Sequence, residues 1–191
     1  MTAAPSDGAM EPLPPGTFTE RIFIEREDVT RLALAAAKRA SGLSPSTRRT
    51  EVVWVDGESE LAVGIRRLRV ETGRGFVVVA LPVRCDQIGG AEVYVTLAVG
   101  EPGRPAGMYA STTRRPRGPE LVVDTWGEAI VAFAWHVLLE VVSDVAGRAG
   151  RDTRGDRLVP AELEATADGL AVVAMARHRF TGAPASAGKA R

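Results

Sequence analysis

Residues 76–99 read FVVVALPVRCDQIGGAEVYVTLAV, and this stretch decides the class of fold. Phe76–Val83 is a nearly continuous apolar run of strand length. Ten residues on, Val93, Val95, Leu97 and Val99 alternate with Glu92, Tyr94, Thr96 and Ala98. A period of two gives that second strand one buried and one wet face. The connection between the two runs is too short for a helical crossover, so the sheet is expected to be mostly antiparallel.

The same character extends upstream to about residue 50. Glu51–Val55 reads as a strand, and Asp56-Gly57 is a turn signal. Leu61, Val63 and Ile65 alternate, and the apolar parity then slips to Leu68 and Val70 beside Arg66-Arg67. Such a slip predicts a β-bulge or a break. Thr72–Gly75 closes another turn. Downstream, Gly100–Pro105 reads as a loop, with short strands expected at Met108–Thr113 and Glu120–Val123.

Helical patterns flank this strand-rich middle. A short strand at Phe18–Ile24 precedes a helix with Asp28 as N-cap, running to about Ser41. Val29, Leu32, Ala33, Ala36 and Ala40 form its apolar stripe, and Gly42 is the stop signal. Thr125-Trp-Gly-Glu128 has capping-box spacing and predicts the start of a core helix reaching about Gly147. Pro160, at a first helical position, predicts a last helix striped by Leu163, Ala167, Leu170, Val173, Ala174 and Phe180 and interrupted by Gly169. The expected fold is α+β: a mostly antiparallel sheet of about five or six strands, with one N-terminal helix and two C-terminal helices packed on it. Residues 1–16 and 182–191 are rich in Pro, Gly and Ala and read as disordered tails around a single domain, 17–181.

Composition narrows the chemistry. The 191 residues hold one cysteine, two histidines and no asparagine, side chains on which most catalytic and metal-binding designs draw. Cys85 stands alone and His136 and His178 lie far apart, so no catalytic residue, metal site or cofactor is read. Twenty-four basic residues balance 24 acidic ones, which removes a global electrostatic case for nucleic acid. Only Lys38 and Lys189 among the basic residues are lysines, a bias that GC-rich coding explains as readily as selection for phosphate recognition. The single cysteine marks no oxidising compartment, residues 1–16 show no signal-peptide pattern, and the strongest apolar run, Ala129–Val142, is shorter than the roughly 20 residues of a membrane span. The expectation is a soluble cytoplasmic chain.

A few polar groups remain as candidates. His136 and Glu140 are four apart on the core helix and project from one face, with Glu128 two turns earlier. Cys85 beside Arg84 fits a structural thiol better than a nucleophile. Arg66, Arg67 and Arg69 form one basic cluster and Arg114, Arg115 and Arg117 another, and arginine forks match phosphate geometry. A ligand cavity between the sheet and the core helix would be lined by Arg66, Arg69 and His136, with Arg114 and Arg115 as a separate loop site. Trp135 and Leu139 are the candidate interface residues on the core helix.

Residues Ile22–Leu43, with their Val29, Leu32-Ala33, Ala36-Ala37 and Gly42-Leu43 steps, resemble the opening strand and helix of the alkaline-shock protein family. The resemblance implies a small non-enzymatic α+β domain that self-associates or acts as an envelope-stress adaptor. It covers this stretch alone and carries over no site residue. Together these readings lead to a non-catalytic interaction or assembly protein, a homo-oligomer or partner-bound chain. The alternatives are a small-ligand-binding domain or minor enzyme, and a nucleic-acid-binding regulator acting through the arginine loop.

Overall fold

The computed structural model describes residues 19–44, 46, 48–103, 106–107, 115–150, 155 and 157–176. The expected disordered tails, Arg114, His178 and the whole of the expected strand at Met108–Thr113 lie outside them. The chain is α+β and runs β1 (Thr19–Glu25), α1 (Arg26–Ala40), β2 (Val52–Asp56), β3 (Ser59–Val63), β4 (Arg69–Gly73), β5 (Phe76–Cys85), β6 (Gly89–Ala98), β7 (Ala106–Gly107), α2 (Glu120–Ala149), β8 (Leu158–Thr166) and β9 (Gly169–Ala176).

All named strands pair antiparallel, but they form two sheets rather than one. The first is four-stranded, in the order β1-β9-β8-β7; the second has five strands built around β5. One edge of β5 takes β6 along its whole length, from Phe76↔Ala98 to Cys85↔Gly89. The other edge is shared: β4 pairs with residues 76–80 and β3 with Val83 and Arg84. A 3-10 turn at Ile65–Arg67 carries the chain from β3 to β4 along that edge. This turn is the physical content of the parity slip in the sequence. Gly75 donates to the Ala165 carbonyl (3.1 Å), Gly100 to Leu163 (3.1 Å) and Ala165 to Gly100 (2.8 Å), so β8 joins the two sheets at a corner.

The core lies between the sheets, where both helices pack. Val77, Val79 and Leu81 of β5 and Val93, Val95 and Leu97 of β6 point inward and are almost fully buried. They meet Ile130, Ala134, Val137, Val141 and Val142 of α2, together with Leu163, Leu170 and Val172 from the other sheet. Helix α1 begins at Arg26, two residues before the expected cap, and its end is as read. Gly42, at φ 67°, donates to Arg39 (2.8 Å) while Leu43 donates to Lys38 (2.9 Å). These two bonds satisfy carbonyls that the last turn would otherwise leave open.

Three expectations are corrected. First, Glu120–Val123 is not a strand but the first turn of α2, with Pro119 at the cap position and accepting from Val122 and Val123 (both 3.0 Å). Val122, Val123, Trp126, Gly127 and Ile130 are buried at helical spacing, and this periodicity overrides the local β propensity of two valines. Thr125 is therefore inside the helix and its capping-box spacing caps nothing.

Second, residues 158–176 form the hairpin β8–β9, so the chain has two helices among its described residues, not three. The spacing of Leu163, Leu170 and Ala174 fits both periods. Pairing settles it: β1 lies against β9 over seven residues, from Thr19↔Met175 to Glu25↔Gly169. Leu170, Val172 and Ala174 are then buried on one face. Pro160 is not a helix start; the strand register shifts between Pro160 and Glu162, the kind of irregularity at which a sheet tolerates a residue with no N–H. Third, the strands divide between two sheets because this hairpin completes a second sheet with β1.

Candidate interaction surface

Alternation in the five-stranded sheet sends one set of side chains away from the core. Across its middle these are Arg69, Ala80 and Tyr94, in register on β4, β5 and β6. Towards one end follow Pro82 with Glu92, then Ala62 with Arg84, and at the margin Val53 opposite Ala62 and Val55 opposite Glu60. The outer face thus has two parts, a polar basin over β4, β5 and β6 and an apolar margin on β2.

The basin has a volume of about 620 Å³ and is lined by Arg67, Arg69, Arg84, Glu51, Glu92 and Tyr94. Two of its three arginines are already matched. Arg69 pairs with Glu92 (2.9 Å), the Tyr94 hydroxyl donates to the same carboxylate (2.6 Å), and Arg84 pairs with Glu51 (3.2 Å). The Tyr94 hydrogen bond, aided by Arg69, holds the Glu92 carboxyl below its ordinary range, and the same bond raises the Tyr94 hydroxyl.

A lowered folded value makes the stabilising contribution of Glu92 complete above its unfolded value of about 4.3. The contribution is lost as pH falls through the lower folded value. Because Tyr94 is the leading cause, Tyr94→Phe is expected to move the Glu92 titration, followed by side-chain carboxyl NMR, back up towards the ordinary glutamate midpoint. An unmoved midpoint would show that Tyr94 does not set it.

The apolar margin is an unusual sheet edge. Val53 and Val55 are 54% and 65% exposed. Trp54, between them, points inward against Trp126 and Phe133, with ring centroids 6.4 and 5.4 Å away. The edges of the sheet are managed differently from one another. On β4 the Thr30 hydroxyl of α1 donates to the Val70 carbonyl (3.1 Å) and accepts from its N–H (3.3 Å). On β6, Tyr94 exchanges two backbone bonds with Arg117 (2.8 and 2.9 Å). Strand β1, the edge of the other sheet, carries Glu20, Arg21 and Glu25 as well as the exposed Phe23. Strand β2 carries no charge before Asp56, and among the described residues its outer edge has no partner. Sequence reasoning identified β2 as a strand, but not as an open edge.

The expected site residues are dispersed. Arg66 is exposed on the 3-10 turn and it is Arg67, not Arg66, that lines the basin. Arg69 does line it, on the sheet face turned away from the core helix, whereas His136 is 59% exposed on α2. The three do not surround a cavity between sheet and helix. Glu140 lies 3.8 Å from His136, but its closer partner is Arg39 of α1 at 3.2 Å, and Arg39 also binds Asp144 at 2.5 Å. This carboxylate ties the two helices together. Arg115 pairs with Asp124 of α2. Cys85 is buried at the end of β5. Among the described residues no group of three His, Cys, Asp or Glu is placed to hold a metal.

Trp135 is partly buried and packs against the core, and Leu139 is half-buried beside the exposed His136. Helix α2 has the length and composition to cross a membrane, but its Ile130, Ala134, Val137 and Val141 are spent on the protein interior. Comparison with protein-family models, curated proteins and solved structures finds no match to this chain.

Proposed function

We propose that this chain is a non-catalytic assembly protein of the cytoplasm that self-associates through the outer face and open edge of its five-stranded sheet. The observation that carries this reading is β2, an edge strand whose outer side has no partner among the described residues and which turns two valines outward. An edge left uncovered and uncharged is a template for pairing with another chain. The reading is also the one implied by the likeness of Ile22–Leu43 to the alkaline-shock proteins. Trp135 is the weaker contact, because its ring is used within the chain's own core.

A ligand-binding role for the basin is the second reading, favoured by Arg67, which forms no ion pair among the described residues. Against it, Arg69 and Arg84 already hold carboxylates, and a ligand would have to displace them. The nucleic-acid reading is weaker still, with zero net charge and Arg115 neutralised by Asp124.

Sedimentation velocity of the full chain over a range of concentrations tests the proposal. The expected result is a species heavier than the 20.2 kDa monomer whose share grows with concentration. A monomer throughout, up to hundreds of micromolar, overturns it.

A further inference from the structure

We infer that the occupant of the open β2 edge is β2 of a second copy of this chain, paired antiparallel about a two-fold axis near Trp54. The inference rests on the assembly reading above and adds the partner, the strand and the orientation.

Orientation follows from charge. Shortly before β2 lie Arg48 and Arg49, followed by Glu51, whose carboxylate is held by Arg84 (3.2 Å); Asp56 ends β2, Glu58 lies in the tight connection and Glu60 on β3. Arg48, Asp56, Glu58 and Glu60 are exposed, and none of the four is in an ion pair among the described residues. With Glu51 offset by Arg84, the strand is basic at its start and acidic at its finish, with Val52, Val53, Trp54 and Val55 uncharged between. Parallel pairing would lay like charge on like. Antiparallel pairing lays each basic end along the other copy's acidic end, and the two-fold axis repeats the contact. With the axis at Trp54, Val53 stands opposite the second copy's Val55 and Val52 opposite its Asp56, which brings the Arg48–Arg49 end towards the second copy's Asp56–Glu58 end.

Burial agrees with this arrangement. The pairing covers two valines that are otherwise more than half exposed and satisfies the backbone groups along the free edge. It joins two five-stranded sheets into one continuous sheet. The shared edge is short, five residues on each side, so the pairing is of the weak, concentration-dependent kind and is sensitive to salt through its end charges.

Two sets of variants read the inference by sedimentation, with circular dichroism confirming that each remains folded. Arg48→Glu is expected to weaken dimerisation about tenfold, because the change is felt twice across the two-fold axis. Adding Asp56→Arg and Glu58→Arg to it exchanges the facing charges and is expected to restore the dimer to within about threefold of the original. Independently, Val53→Lys with Val55→Lys, at exposed positions that leave the core intact, is expected to yield a monomer. If the original chain dimerises and neither set changes its affinity, β2 is not the contact, while the assembly reading stands. Weakening by Arg48→Glu that the exchanged ends do not rescue overturns the antiparallel orientation. A chain that is monomeric at every concentration removes both the assembly reading and this inference.

Discussion

Replacing Gly169 by alanine is expected to cost at least about 3 kcal/mol of folding stability. Gly169 opens β9 at φ 155°, a conformation that side-chain-bearing residues rarely adopt, and it pairs with Glu25 at the end of β1. A Cβ placed there would lie 2.0 Å from the Ile24 carbonyl oxygen, which belongs to the backbone of the neighbouring strand and cannot rotate aside. The β1–β9 pairing must then open locally. Gly42→Ala is the control: its φ is 67°, but nothing lies within 4 Å of the added atom, so only the conformational strain of about 1 kcal/mol remains. Urea unfolding of both variants measures the difference as a shift in midpoint at constant slope. Equal midpoints would mean that β1 does not press on β9 at this position.

Ile130→Ala carries the second large effect, a loss of about 2–5 kcal/mol. Ile130 is fully buried in the first half of α2, within a single cluster that includes α1 and both sheets. Little around it can collapse into the space left by the missing methyl and methylene groups, since its neighbours are held by strand pairing. Against a total stability of about 5–15 kcal/mol, this change alone brings the domain towards unfolding at ordinary temperature. His136→Ala, on the exposed side of the same helix, is expected to change stability by less than about 0.5 kcal/mol. A thermal or urea titration that finds the two variants alike would contradict the placement of α2 between the sheets.

Local chemistry was legible wherever one element dictated it. The antiparallel pair β5–β6 follows from an apolar run, a short connection and a strict alternation. The helix α1 follows from its stripe and its terminal glycine, and the step from β3 to β4 from a slip in parity beside Arg66-Arg67. Legibility failed where two periods fitted the same residues. Leu163, Leu170 and Ala174 satisfy a helix as well as a strand. Asp168-Gly169 is the turn signal that distinguishes them, and a glycine inside a helical stripe masks it. Val122 and Val123 looked like strand residues because β-branched side chains favour strands, but burial beside Trp126 places them in a helix.

The site was less legible than the fold. Arginine clusters are visible in a sequence, but their partners are not. Arg69 is matched by Glu92, Arg84 by Glu51 and Arg39 by Glu140, pairs separated by 23, 33 and 101 residues. A basic cluster on the page thus became a nearly neutral basin in space. The feature that carries the functional proposal, an open edge on β2, has no sequence signature of its own, because openness is a property of what fails to pair with it.

By itself, then, the sequence determined the α+β class, the antiparallel habit of the strands, the glycine stop of α1 and the scarcity of reactive side chains. Each of these depends on residues within a few positions of one another. Only the tertiary structure decided that residues 158–176 are a hairpin, that the strands divide into two sheets with α2 between them, and that β2 is left without an outer partner among the described residues. Those outcomes rest on pairings between distant segments, such as β1 with β9 and Thr30 with β4. Their free energy is gained only when the whole chain has closed, so no local window of residues contains it.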